Sequence, residues 1–570
     1  MKLISYVGKY KKYAILTPIC VMAQCTMELA IPFVMSKMID IGIRGEGGIN
    51  YTIMMGLVMV LVAILSLIFG FFGAKFAARA SSGYAKNLRS AIFNKIQKFS
   101  FANIDKFQTA SLVTRLTSDV NNAQTAFMMS IRMAIRAVTM LLGASFMAII
   151  IGRKLSLVFA VVIPLLAILL YLIFSRAHPR FGIMLKNMDK LNLNVQENLS
   201  GIRVVKSFVR EDYEKDKFRK NADLLRQTQV AAEKIIIMNG PVMQIIMNLC
   251  SLALMYFGSL MIIHNNFEIG SLSSLLTYTT QVLMSLMMLS AVFMMIVISK
   301  ASVNRITEVL EEEIDIKDNK SSLKVNNGEI EFKNVFFNYK NSKPVLKNIN
   351  LRIKSGETIG IIGSTGSSKS TLVQLIPRLF DVNSGEVKVS GNNVKDYNLE
   401  ELRNSVSMVL QNNVLFSGTI KENLKWGNEN ATDKEIINAC KNASAHEFIS
   451  SFKDGYDTDL SQGGVNLSGG QKQRICIARA LLKKPKIIIL DDSTSAVDMA
   501  TDKQIKESFR TKLNDITTII IAQRISSISD CDRIIVMEDG MINAFDTHEN
   551  LIKNNTIYKE IYESQKKGDE

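Results

Sequence analysis

The chain has 570 residues, too many for one ordinary domain, and 48% of them are hydrophobic. It is also basic, with 68 Lys and Arg against 52 Asp and Glu, a balance that fits either a nucleic-acid binder or a membrane protein. Position decides: the apolar residues, and 25 of the 29 methionines, gather in long runs before about residue 300 with the charges between them, so a wholly soluble protein is excluded and no nucleic acid is needed.

Six apolar stretches are long enough to cross a bilayer, which takes about 20 residues each. They run approximately Tyr13–Met35, Tyr51–Gly73, Met129–Gly152, Leu155–Phe174, Ile236–His264 and Leu272–Ser299. Lys2, Lys9, Lys11 and Lys12 precede the first. Lys75, Arg79, Lys86, Arg89, Lys95 and Lys98 follow the second, and seven Lys and Arg from Arg176 to Arg210 follow the fourth. The opposite loops are short ("RGEGGIN", "GRKL", "HNNFEIG"), so both termini and the two long loops, 74–128 and 175–235, are expected in the cytoplasm, facing the anionic leaflet. The first span lacks an A-x-A-like cleavage site and is read as retained. Both long loops are nearly free of Pro and are expected to be helices continuing out of the membrane.

Charges inside the spans are expensive and attract attention. Glu28 has two readings, a cavity-facing contact for a cationic ligand or a packing hydrogen bond between helices. Arg132 and Arg136 lie near the cytoplasmic end of the third span, where they can snorkel. The methionines of "QVLMSLMMLSAVFMMIV" either line an adaptable binding surface or face lipid and neighbouring helices. Six scattered cysteines without a C-x-x-C pair, and only four histidines, predict reduced structural thiols and no metal site built from them.

A polar linker, 306–327, follows the last span. From 328 to 565 short β-rich runs ("ETIGIIG", "VSMVL", "KIIIL", "TTIIIA", "DRIIVME") alternate with helical stretches, the pattern of an α/β domain with a largely parallel sheet. "GIIGSTGSSKSTL" sets a tight loop, Gly363, Ser364, Thr365, Gly366, Ser367 and Ser368, between a strand and a helix that starts near Lys369. Backbone N–H groups of such a loop converge on phosphate oxygens, Lys369 reaches the outer phosphates, and the Ser370 hydroxyl, followed by Thr371, is placed for Mg²⁺. The pattern G-x-x-x-x-G-K-[ST] has Ser368 in place of its second glycine; a positive φ there costs about 1 kcal/mol with a side chain present. "IIILDD" supplies a buried strand ending in Asp491, a second Mg²⁺ ligand.

"NLSGGQKQRICIARALLKKP" is the most specific stretch, and with it the sequence resembles the ATP-binding-cassette transporters, of the exporter type that fuses one membrane and one nucleotide domain in a half-transporter. The resemblance covers nearly the whole chain, including "DKFQTASLVTRLTSDV" and "GIRVVKSFVREDYE" in the cytoplasmic loops, "LQNNVLFSGTIKENL" and "STSAVD". It implies a polytopic α-helical membrane domain (1–305) followed by a RecA-like α/β nucleotide domain (328–565) in the cytoplasmic membrane, with ATP and Mg²⁺ as cofactors. It implies that Tyr339 stacks on adenine, that Gln411 touches Mg²⁺ and the water, and that Leu467, Ser468, Gly469, Gly470 and Gln471 close over a partner's ATP. Ser495, Ala496, Val497 and Asp498 would lie along the dimer seam.

Four positions depart from the family. Asp492 stands where the general base is Glu, Gln523 where the switch is His, Ser368 in the phosphate loop, and Ser461–Gln462 where a Gly–Glu pair is commoner. Asp is shorter in reach and Gln lacks positive charge, while "LSGGQ" is intact. The expectation is a heterodimer: a degenerate site on this chain, its signature lent to a second half-transporter, and hydrophobic small molecules or lipids as cargo. A homodimer using Asp492 and an ATP-gated regulator that never turns over are the alternatives.

Overall fold

The computed structural model describes residues 2–45, 47–340, 343–492, 499–512 and 515–569. The chain divides into two compact units, Met1–Gln97 with Ala110–Glu312, and Lys98–Thr109 with Glu313–Glu570.

In the first unit six helices are long and apolar enough to cross a membrane: Leu3–Ile43, Gly48–Ile96, Thr109–Ile151, Leu157–Ser200, Glu211–Ile263 and Ile269–Glu311. The second has 49 residues, about 70 Å at the rise of an α-helix, against a hydrocarbon core of about 30 Å. The spans therefore continue well outside the bilayer, as the Pro-poor loops predict. Three segments relax into π-helix: Met38–Ile43, Arg115–Asp119 and Ser130–Ala134. The core is made by Val21, Cys25, Leu29, Ala144, Leu254 and Tyr278 among others. Close approach needs small residues, since lipid tails give helices no hydrophobic reason to associate. A Cβ on Gly143 would stand 2.3 Å from Leu29 Cδ1, and one on Gly83 2.3 Å from the Tyr10 ring.

Two carboxylates tie distant helices together. Asp40 accepts from the N–H groups of Gly270 (2.6 Å) and Ser271 (3.1 Å), capping the orphan donors of the last span helix. Buried Asp119 accepts both arms of Arg305, the Nε at 2.8 Å, while Arg115 donates to the Arg305 carbonyl at 2.9 Å and pairs with Glu308. The last span helix continues to Glu311, and 312–329 carries no helix or strand.

The second unit holds a six-stranded sheet in the order Met541–Asp546, Arg533–Glu538, Thr358–Gly363, Thr517–Ile521, Ile487–Asp491, Val406–Val409. All neighbours are parallel except the Met541–Asp546 edge. Ile487–Asp491 and Thr517–Ile521 are buried throughout, which is why these runs read as continuously apolar rather than alternating. A four-stranded antiparallel sheet, led by Ile330–Phe337 and Leu346–Ile353, stands beside it in the same unit. The sequence reading keeps 98–109 inside the first cytoplasmic loop; its contacts put it with the second unit. There the helix Phe101–Phe107, closed by a Ser100–Asn103 capping box, sets Phe101 6.2 Å from Phe380, and Asn103 donates to the Glu313 carbonyl at 3.0 Å.

Candidate functional site

Parallel strands deliver their ligands at their carboxyl ends, and three neighbouring strands do so here. Thr358–Gly363 runs into the phosphate loop, Ile487–Asp491 into Asp492, and Thr517–Ile521 into Gln523. Gly363 is a steric requirement, because a Cβ there would lie 2.2 Å from the Met537 carbonyl oxygen. Ser368 adopts φ 73°, ψ 25°, the left-handed conformation that the pattern's missing glycine would take without strain. The substitution thus leaves the loop geometry in place at a cost of about 1 kcal/mol.

Lys369 curls back over the loop. Its Nζ donates to the carbonyls of Gly363 (3.0 Å) and Ser364 (2.9 Å) and to Ser367 Oγ (3.3 Å). Burial lowers its pKa, and the charges of Asp491 and Asp492 pull the other way. Ser370 Oγ donates to Asp491 Oδ1 at 2.9 Å. Burial holds the Asp491 carboxyl above its ordinary range, opposed by that hydrogen bond. A hydroxyl beside a buried carboxylate is a pair of hard oxygen donors, the chemistry that Mg²⁺ takes. The residues present therefore fit the ion.

Tyr339 is packed edge-on against Phe337 (5.0 Å) and Phe380 (5.3 Å), and its hydroxyl meets Thr371 Oγ1 at 3.0 Å. The adenine-stacking candidate is thus tied to the helix that follows the phosphate loop.

Asp492 sits just past the sheet in a left-handed conformation, φ 49°. Its Oδ2 accepts from Gln523 Nε2 at 2.6 Å, with Gln411 Nε2 at 3.5 Å. The three residues singled out for hydrolysis are therefore in one place. Gln473, buried in the signature helix, donates to the Asp492 carbonyl at 3.4 Å. The Gln523 segment is fastened from the far end of the chain: Gln565 donates to the Gln523 carbonyl and accepts from the Ile525 N–H, both at 2.8 Å. No motif announces Gln565, and Gln473 lies inside the signature stretch with nothing there to single it out. A glutamine in an amphipathic helix has the same local pattern whether it faces water or a loop.

The signature opens a helix, Gly469–Leu482, with Ser468 as N-cap. Gln471 N–H donates to Ser468 Oγ (3.3 Å) and Ser468 N–H to Gln471 Oε1 (2.9 Å), a closed capping box. Leu467 is buried beneath it. Arg474 steadies the first turns, donating to the Ser444 carbonyl at 2.9 Å and lying 4.6 Å over the Phe448 ring. Ser495, Ala496, Val497 and Asp498 lie outside the described residues. All six cysteines are free, and burial pushes the Cys440 and Cys531 thiols up to about 12, as inert structural thiols require.

Membrane helices joined to a body that can grip a nucleoside triphosphate define a class, the ATP-driven transporters. A family model for the ABC transporter transmembrane region matches residues 14–312, and one for the ABC transporter ATP-binding part matches 346–495. The chain is 38% identical to the uncharacterized ABC transporter ATP-binding protein YfiB of Bacillus subtilis (strain 168), covering 99% of this chain and 98% of the relative. It is 32% identical to the putative multidrug export ATP-binding/permease protein YgaD of the same organism, covering 98% of each. In fold it matches a bacterial Atm1-family ABC exporter with ATP bound, at TM-score 0.86 and 24% identity, over 98% of this chain and 99% of that one. The chain belongs to the ABC transporter family, as an exporter-type half-transporter with fused membrane and ATP-binding parts. It is a multi-pass protein of the cytoplasmic membrane with its nucleotide-binding unit in the cytoplasm, and half-transporters of this kind work as dimers.

Proposed function

We propose that the chain is the degenerate-site half of a heterodimeric ABC exporter for amphipathic small molecules or lipids. The observation that carries this is the Gln523–Asp492 pair at 2.6 Å. Where the family resemblance calls for a glutamate and a histidine, a shorter carboxylate, lacking about 1.5 Å of reach, is engaged by a neutral amide. A base has to lie within about 3.2 Å of the water it orients, and Gln523 can hydrogen-bond a γ-phosphate without supplying positive charge. The resemblance to YgaD, described as a putative multidrug exporter, supports the cargo class.

In this reading Tyr339 stacks on adenine, residues 363–371 wrap the phosphates, and Lys369 leaves the loop carbonyls for the β- and γ-phosphates. Ser370, Asp491 and Gln411 hold Mg²⁺, which neutralises phosphate charge when bound. ATP clamps the two cassettes together, and the helical extensions turn the membrane helices from inward-open to outward-open. Leu467–Gln471 close over the partner's ATP, where turnover resets the pair, and Ser495–Asp498 line the seam.

The test is phosphate release in proteoliposomes from this chain alone and beside a second half-transporter. The reading requires turnover only with both, lost on replacing the partner's glutamate and little changed by Asp492→Asn. Brisk release by the isolated chain, stopped by Asp492→Asn, establishes the homodimer instead. ATP-dependent conformational change without turnover in either preparation establishes the regulator.

A further inference from the structure

The six predicted spans contain three charged side chains, Glu28, Arg132 and Arg136. The structure spends the acid. Arg136 Nη2 meets Glu28 Oε2 at 2.7 Å, and Gln24 Nε2 donates to Glu28 Oε1 at 2.8 Å. Both Glu28 oxygens are therefore engaged and its charge is cancelled, so a cationic ligand finds no free carboxylate. Among the described residues Arg132 makes no hydrogen bond or ion pair. It sits one turn before Arg136, in the π-helical segment Ser130–Ala134, a local widening frequent at functional sites. It lines a cavity of about 740 Å³ together with Gln24, Ser66, Gly70, Phe71 and Phe72. That is the size of a small-molecule site. Its walls are largely apolar and aromatic, with the Gln24 amide, the Ser66 hydroxyl and the Arg132 guanidinium as the polar groups.

We infer that this cavity takes the cargo, resting on the export reading above, and that the cargo is an amphipathic anion whose acidic head pairs with Arg132 while its tail lies against Phe71 and Phe72. The Arg132 guanidinium is exposed to this open cavity, and a guanidinium grips sulfonate, carboxylate or phosphate with paired hydrogen bonds. A free organic anion and an acidic lipid share this chemistry.

The test uses the full chain in phosphatidylcholine nanodiscs and two dansyl probes with the same dodecyl tail, one ending in sulfonate and one in trimethylammonium. The sulfonate is expected to bind at least about tenfold more tightly. Arg132→Gln removes that preference, Arg132→Lys keeps most of it, and Arg132→Glu inverts it, with ATP binding retained as the check on folding. Equal binding of the two probes, or a preference untouched in Arg132→Gln, overturns the inference. Both leave the export reading standing, because the assay needs neither hydrolysis nor transport. Repeating it in phosphatidylglycerol nanodiscs distinguishes the sources: loss of sulfonate binding identifies a bilayer lipid as the occupant, and unchanged binding a soluble amphipath.

Discussion

The two nucleotide-facing ends of the cytoplasmic unit are built to different standards. The signature helix starts without a strained residue: Ser468 has extended backbone, its capping box is closed, and Arg474 ties the first turns down. The phosphate-loop end carries two non-glycine residues in left-handed backbone, Ser368 and Asp492, and a glutamine, Gln523, bound to the second of them. On the heterodimer reading proposed above, a site that is to be lent stays regular, and one that only has to hold nucleotide tolerates strain and substitution.

The sharpest way to break this contrast is to exchange the damage. In a complex with an active partner, Ser468→Arg is expected to lower turnover by about a hundredfold or more, the scale on which loss of a transition-state contact acts, while Asp492→Asn changes it less than about threefold. Equal losses in phosphate-release assays would erase the asymmetry. Next in size is the tether on the Gln523 segment. Gln565→Ala removes two hydrogen bonds worth about 1 kcal/mol each, and amide exchange at Ile525 should accelerate by about 30-fold. Ser368→Gly relieves the left-handed strain and should stabilise the cytoplasmic unit by up to about 1 kcal/mol, read as a rise in its melting temperature.

The smallest effect concerns the tail of the signature helix. Glu435, beside Lys484 just past that helix (2.7 Å), has its carboxyl drawn down to about 2 by the Lys484 hydrogen bond first and then by Thr432. A depressed carboxylate contributes stability that is complete above its ordinary value of 4.5 and disappears as pH falls towards 2. Glu435→Gln should therefore lower the neutral plateau of a stability–pH curve slightly and flatten its acid limb, the two curves meeting near pH 2.

What could be read from the chain in advance was what is written in short spacings. Runs of about 20 apolar residues give spans, and a glycine-rich loop between strand and helix gives a phosphate cradle. The left-handed Ser368 is legible too, as a pattern broken at one position. Partnerships across long separations were not. Glu28 shows in sequence as a lone acid because its arginine lies 108 residues away on another helix. Asp119–Arg305 and Gln565–Gln523 are hidden for the same reason, at separations of 186 and 42. The place of 98–109 in the cytoplasmic unit shows in contacts such as a ring pair and one amide, neither of which has a periodicity to detect.

That assignment has a practical side. Expressed from residue 313 onward, the soluble ATPase would arrive without a helix of its own body. Phe380, which also braces Tyr339, would trade an aromatic neighbour for water, and the Glu313 carbonyl would lose its amide donor. Adenine affinities measured on such a fragment would describe a wound as much as a binding site, and a peptide spanning 98–109, added back, is the bandage with which to gauge it.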